Sequence, residues 1–131
     1  MADFAGGYAT QQENADTIRR IFEDTGYLVD THTGVAATVY ESYRGKTGDT
    51  AKTVIASTAS PYKFSRSVME AIEGPDKIAG LDEFDVVDAL SRLSGVPVPK
   101  AVEEIRNAEI RHNLECDVDR MEETVKGILN I

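Results

Sequence analysis

Apolar residues in the first part of the chain return at helical intervals. Ala15, Ile18, Ile21 and Phe22 share one face of a 3.6-residue period. Thr10 followed by Glu13 is a capping box, in which the threonine side chain takes an orphan N–H and the glutamate reaches back. Gly26 supplies a left-handed stop. The pattern predicts a helix over about Gln11 to Thr25, after a frayed lead-in of nine residues with a flexible joint at Gly6-Gly7. Tyr27-Leu28-Val29 then reads as a short strand ending in D-T-H-T-G. From Thr33 onward Val35, Ala36, Val39, Tyr40 and Tyr43 mark a second helical face, closing near Gly45.

A polar turn, G-K-T-G-D-T, leads to Thr53-Val54-Ile55. That run is too brief for a helix and is β-branched and apolar, so it reads as a buried strand. Strand, helix, strand over this length predicts a βαβ unit with parallel strands and a right-handed crossover. Parallel strands end on one edge, which makes neighbours of the D-T-H-T-G turn and the S-T-A-S-P turn. Ser60-Pro61 opens the next helix: serine is a good N-cap, and proline suits the first helical position because its missing N–H would have no partner there. That helix runs to Glu73, with Phe64, Val68, Ala71 and Ile72 inward, and Gly74-Pro75 stops it.

Asp82 opens another helix carrying Phe84, Val87, Leu90 and Leu93, with Gly95 after its end. V-P-V-P-K is an extended link, and Pro99 starts a short helix bearing Val102 and Ile105. Asp117 caps a last helix with Val118, Met121, Val125, Ile128 and Leu129 expected inward. About six helices against two short strands is too little sheet for a doubly wound domain. The fold class expected is α/β: a mostly helical fragment with a small parallel βαβ unit, one edge of a larger protein.

Composition narrows the function. The 131 residues carry 14 basic and 23 acidic side chains, a net charge of −9. That disfavours nucleic acid and anionic membranes, which need a basic surface. No apolar run approaches the ~18 residues of a membrane span, and M-A-D-F-A-G-G lacks the regions of a signal peptide. A single cysteine, Cys116, makes no internal disulfide and fits a reducing cytoplasm.

The stretch T-V-I-A-S-T-A-S-P-Y-K-F, from Thr53 to Phe64, concentrates the candidate chemistry. Small residues admit a ligand, hydroxyls can donate and accept, and a helix start presents free N–H groups. Ser57 and Thr58 lack the G-x-S-x-G frame of an activated nucleophile and suit ligand binding better. His32, between an expected strand end and a helix start, is placed where a titrating ring could reach a ligand. Gly45-Lys46-Thr47 is not a phosphate loop, since Tyr40 stands where that motif needs glycine, and it reads as a solvent turn. Lys63 reads as a solvated or anion-facing side chain, and His112 as a surface or helix-capping residue. Two histidines and one cysteine give no recognisable metal set.

S-T-A-S-P-Y-K-F closely resembles the late signature of the threonine synthase family, pyridoxal-phosphate enzymes of the tryptophan synthase β fold type. T-I-R-R-I-F-E-D-T-G-Y-L-V-D-T-H-T-G-V-A resembles that family's tract with a D-P-H-T-A-V turn, although Thr31 stands where proline is common. S-G-V-P-V-P-K-A, I-R-H and a final M-x-x-x-V helix resemble its C-terminal end. The likeness spans about Asp3 to Ile131, in order and in register.

The resemblance implies a single segment, residues 1–131, forming the C-terminal part of an enzyme that converts O-phospho-L-homoserine and water to L-threonine and phosphate. It implies pyridoxal 5'-phosphate as cofactor in the full enzyme, with Thr58, and Ser57 second, as the hydroxyl meeting the pyridine nitrogen. Asp30, His32 and Thr33 match the turn beside the ring. The family's Schiff-base lysine and cofactor-phosphate loop lie upstream and have no counterpart here, so no catalytic residue is assigned to this segment. The isolated chain is expected to hold no covalent cofactor and to be inactive, with the N-terminal part of the enzyme as its partner and exposed apolar faces that favour self-association. A non-catalytic acidic α/β interaction module, or one half of a split enzyme, are the competing readings.

Overall fold

The computed structural model describes residues 3–131; Met1 and Ala2, the start of the expected lead-in, lie outside them. Six α-helices follow one another among the described residues: α1 Gln11–Thr25, α2 Thr31–Thr47, α3 Ser65–Glu73, α4 Glu83–Ser94, α5 Lys100–Arg106 and α6 Met121–Leu129. Short 3-10 turns at Pro61–Phe64, Pro75–Ile78 and Val118–Arg120 precede α3, α4 and α6. The ends obey the local chemistry. Thr10 and Glu13 form the capping box of α1, and Gly26 closes it at φ 69°. Asp82 caps α4 through its side chain, and Gly95 ends it in the same left-handed conformation.

No β-strand occurs among the described residues, which corrects the α/β expectation and removes the parallel βαβ unit. The two runs behave differently. Leu28 and Val29 are buried at 9% and 4% exposure, because the connection from α1 to α2 passes through the core. Val54 is 94% exposed, and Thr53–Ile55 lies in an irregular segment on the surface. A strand needs a neighbour to satisfy its N–H and C=O groups, and three β-branched or apolar residues alone do not supply one.

The core lies along α3. Val68, Met69 and Ala71 are buried between α1, which contributes Ile18, and α4, which contributes Val86, Val87 and Leu90. Polar clamps tie the layers together. Arg19 Nε donates to the Ala71 carbonyl at 2.7 Å, pinning α1 to the end of α3. Arg66 of α3 spans the Leu81 carbonyl and the Glu83 carboxylate, 2.8 and 2.6 Å. The buried Tyr62 hydroxyl donates to the Val96 carbonyl, and Arg106 of α5 grips the Asp88 carboxylate with both terminal nitrogens.

α2 turns a different face inward than its apolar residues suggest. Thr33, Gly34 and Ala37 are its buried positions. Thr38 Oγ1 lies 2.8 Å from Thr17 Oγ1 in a hydrogen bond between the two hydroxyls, and Glu41 pairs with Arg20, on the same side against α1. Val35, Ala36, Val39, Tyr40 and Tyr43 instead line an open groove that Ala5–Tyr8 borders. The helix also begins earlier and ends later than Thr33 and Gly45, because Asp30 caps it and Gly48 is the left-handed residue that stops it. Gly45-Lys46-Thr47 is therefore its exposed last turn rather than a loop.

The expected inward face of the last helix is open. Val118, Met121, Val125, Ile128 and Leu129 are all more than half exposed. From Asn107 to Asp117 the chain has no regular helix or strand and brings nothing over that face.

Gly34 sets how closely α1 and α2 approach. A Cβ there would collide with Asn14 Oδ1 and stand 2.8 Å from Ile18 Cγ1, whereas one on Gly45 meets nothing within 4 Å. Urea unfolding should show Gly34→Ala destabilised by about 1–3 kcal/mol, through overpacking. Gly45→Ala should instead gain roughly 0.5–1 kcal/mol, the usual helix-interior preference for alanine.

Candidate functional site

The site begins at the N-terminus of α2. In D-T-H-T the aspartate occupies the N-cap, where its side chain takes free backbone N–H groups. Asp30 Oδ1 accepts from His32 N at 2.8 Å and from Thr33 N at 3.4 Å. Asp30 Oδ2 accepts from the Thr33 hydroxyl in a short bond. The carboxylate is completely buried. Burial by itself would raise its pKa, but the Thr33 hydroxyl and the His32 and Thr33 N–H groups outweigh it and hold the value below the ordinary 3.8.

The second half comes from the irregular segment before Ser60. Ser57 Oγ lies 2.9 Å from Thr33 Oγ1 and 3.5 Å from Asp30 Oδ2. Asp30, Thr33 and Ser57 thus meet, although no sheet edge brings them together. A hydroxyl has one proton. Thr33 gives its own to Asp30, so the bond between the two hydroxyls takes its proton from Ser57. Thr58 is exposed, and its hydroxyl makes no hydrogen bond among the described residues.

His32 stands on the outer side of the same turn. Its Nδ1 is 3.2 Å from Asp30 Oδ1, its side chain is 62% exposed, and its ring lies 4.9 Å from that of Phe64, tilted by 47°. Lys63 Nζ sits 5.4 Å from the Phe64 ring centre, making the exposed rim cationic. Ser60 caps the helical start at Pro61 by accepting from Tyr62 N at 3.3 Å. His112 is exposed in the C-terminal stretch. Among the described residues no group of three or more His, Cys, Asp or Glu side chains is arranged to hold a metal. Among the described residues no helix is long and apolar enough to cross a membrane.

The link from Thr33 to Ser57 and the contact of His32 with Phe64 are not visible in the sequence. The cap at Asp30, also missed by a reading that starts the helix at Thr33, has a signal in the residue type, since aspartate is a favoured N-cap.

The lowered pKa of Asp30 fixes the sign of a pH effect. Its contribution to stability is complete above the unfolded carboxylate value and is lost as pH falls through the lower folded value. Urea unfolding from neutral pH down to about pH 2–3 should show the wild-type chain losing this contribution at the acid end. Asp30→Asn should lack that part of the decline, so the two curves converge on acidification.

A model of one family, described as threonine synthase, C-terminal, matches residues 33–125, the larger part of the chain, including Ser57 and Thr58. No curated protein matches the sequence. Of the residues that suggested the likeness, the S-T-A-S-P-Y-K-F and S-G-V-P-V-P-K-A stretches lie within that match and Thr17 to His32 lie before it; the chain belongs to the threonine synthase C-terminal family.

Proposed function

We propose that this chain serves as the C-terminal segment of a threonine synthase, completing a pyridoxal-phosphate site whose other walls come from upstream polypeptide. The reaction would take O-phospho-L-homoserine and water to L-threonine and phosphate. Bound pyridoxal phosphate supplies the electron sink for elimination and replacement. The residues here fit one edge of such a ring: Thr58 offers an exposed hydroxyl with a proton to donate to a pyridine nitrogen. A neutral hydroxyl leaves that nitrogen largely unprotonated, whereas a carboxylate would favour its protonated form.

The single observation carrying this reading is the hydrogen-bonded meeting of the Asp30–Thr33 turn with Ser57, with the free Thr58 hydroxyl beside it. Thr33 and Asp30 occupy the Ser57 proton, which favours Thr58 over Ser57 as the ring-facing group. His32, exposed and held against Phe64, would position substrate or cofactor at the rim. The open faces of α2 and α6 suit packing against the missing walls or, without them, against a second copy.

Mixing the chain with the N-terminal portion of such an enzyme, pyridoxal phosphate and phosphohomoserine should release phosphate, and neither part should do so alone. Thr58→Val should cut turnover in the mixture by on the order of tenfold, the equivalent of one hydrogen bond. Turnover by the isolated chain, or a borohydride-reducible imine band formed on it, would overturn the assignment.

A further inference from the structure

We infer that Asp30, acting through Thr33, is a positioning residue that anchors Ser57 and thereby fixes where the Thr58 hydroxyl points. The inference rests on the reading of Thr58 given above and adds the device that orients it.

The segment needs such a device. Residues 51–59 make no backbone–backbone hydrogen bond among the described residues. Their remaining polar contacts are local, Ala51 N to Asp49 and Thr53 Oγ1 to Ala51 O, except at Ser57. The Ser57 hydroxyl alone reaches another element, at Thr33 and Asp30. Among the described residues no other polar contact holds 54–59 to the helical body; the near end is tied only through Asp49, which accepts from Ala51 N and Tyr43.

The anchor end is rigid. The Asp30 carboxylate is fully buried, caps a helix of 17 residues, and receives two backbone N–H groups and the Thr33 hydroxyl. Thr33 is itself buried in the first turn of that helix. Because the Thr33 proton is committed to Asp30, the chain of donors runs one way, from Ser57 to Thr33 to Asp30. Ser57 is thus held by its proton, while its neighbour Thr58 keeps a proton for an incoming acceptor. The two adjacent hydroxyls divide anchoring and presentation between them.

Backbone relaxation measured by NMR on the whole chain tests this. In the wild type, amides 56–59 should be ordered, with order parameters near those of α1–α4, ~0.85. Thr33→Val, which keeps shape and loses the hydroxyl, should drop residues 56–59 below ~0.6 without changing the helices. Ser57→Ala should do the same, and the double variant should go no further, since both remove one bond. Thr33→Ser should restore order. Asp30→Asn should retain it, because the amide N–H₂ can donate to Thr33, which then donates to Ser57.

A flexible 56–59 in the wild type, or an ordered one in Thr33→Val, would overturn the inference. Thr58→Val in the phosphate-release mixture separates it from the reading beneath. If that variant turns over normally while Thr33→Val loosens 56–59, the anchor stands and the ring-facing role of Thr58 fails. If Thr58→Val is impaired and 56–59 ignores Thr33→Val, the anchor fails instead.

Discussion

A carboxylate with no solvent exposure must be matched by donors, and Asp30 organises its surroundings for that reason. Two backbone N–H groups are available only if a helix begins at the next residue. α2 accordingly starts at Thr31 rather than at the first apolar position. A third donor must be a side chain from that first turn, and Thr33 provides it. The remaining reach of the cluster extends to Ser57, 24 positions further on in the chain. One buried charge therefore decides where a helix starts, which side of it faces inward, and which part of a distant irregular segment comes to rest against it.

The orientation of α2 follows from that start. With Thr33 and Gly34 turned inward, the next positions on the same face are Ala37 and Thr38, all small or hydroxylated. Small residues allow a close approach to α1, and the contact of Gly34 with Asn14 and Ile18 shows how close it is. The larger side chains of α2 are left on the opposite side, half-buried around the groove beside Gly7 and Tyr8. Hydrophobicity alone would have turned the helix the other way. The polar cluster at its N-terminus wins because an unpaired buried carboxylate costs far more than a half-exposed valine.

The helices were legible in the sequence wherever a cap and a periodic face agreed. α1 runs from Gln11 to Thr25 as its capping box and glycine stop imply, and α3 and α4 keep Val68, Ala71, Val87 and Leu90 inside. The expected strands are absent because short apolar runs say that residues are buried or β-branched, not that a partner strand exists. Leu28 and Val29 satisfy the first statement as a buried connection, and Val54 satisfies only the second. α6 is amphipathic as its period implies, but its apolar face is open, since periodicity gives a face and not its cover. The juxtaposition of Ser57 with the Asp30 turn was reached through a parallel sheet that is absent. Two hydroxyls and a carboxylate make the connection instead.

Fold and site divide along the same line. The layers of α1, α3 and α4 satisfy their own helical backbone and bury a shared apolar core. Residues 51–59 make no backbone–backbone hydrogen bond among the described residues and leave Val54 facing outward, while α6 pairs its own backbone but leaves its apolar face open. Groups left open in this way take their final conformation from whatever comes to satisfy them. Ser57 and Thr58 lie where the two kinds of structure meet, three and two residues before Ser60 caps the rigid part. A hydroxyl at such a junction can be held from one side by a finished helix while its neighbour stays available on the other. A site shared with a second stretch of polypeptide requires that combination, and neither the buried core nor an untethered loop would provide it.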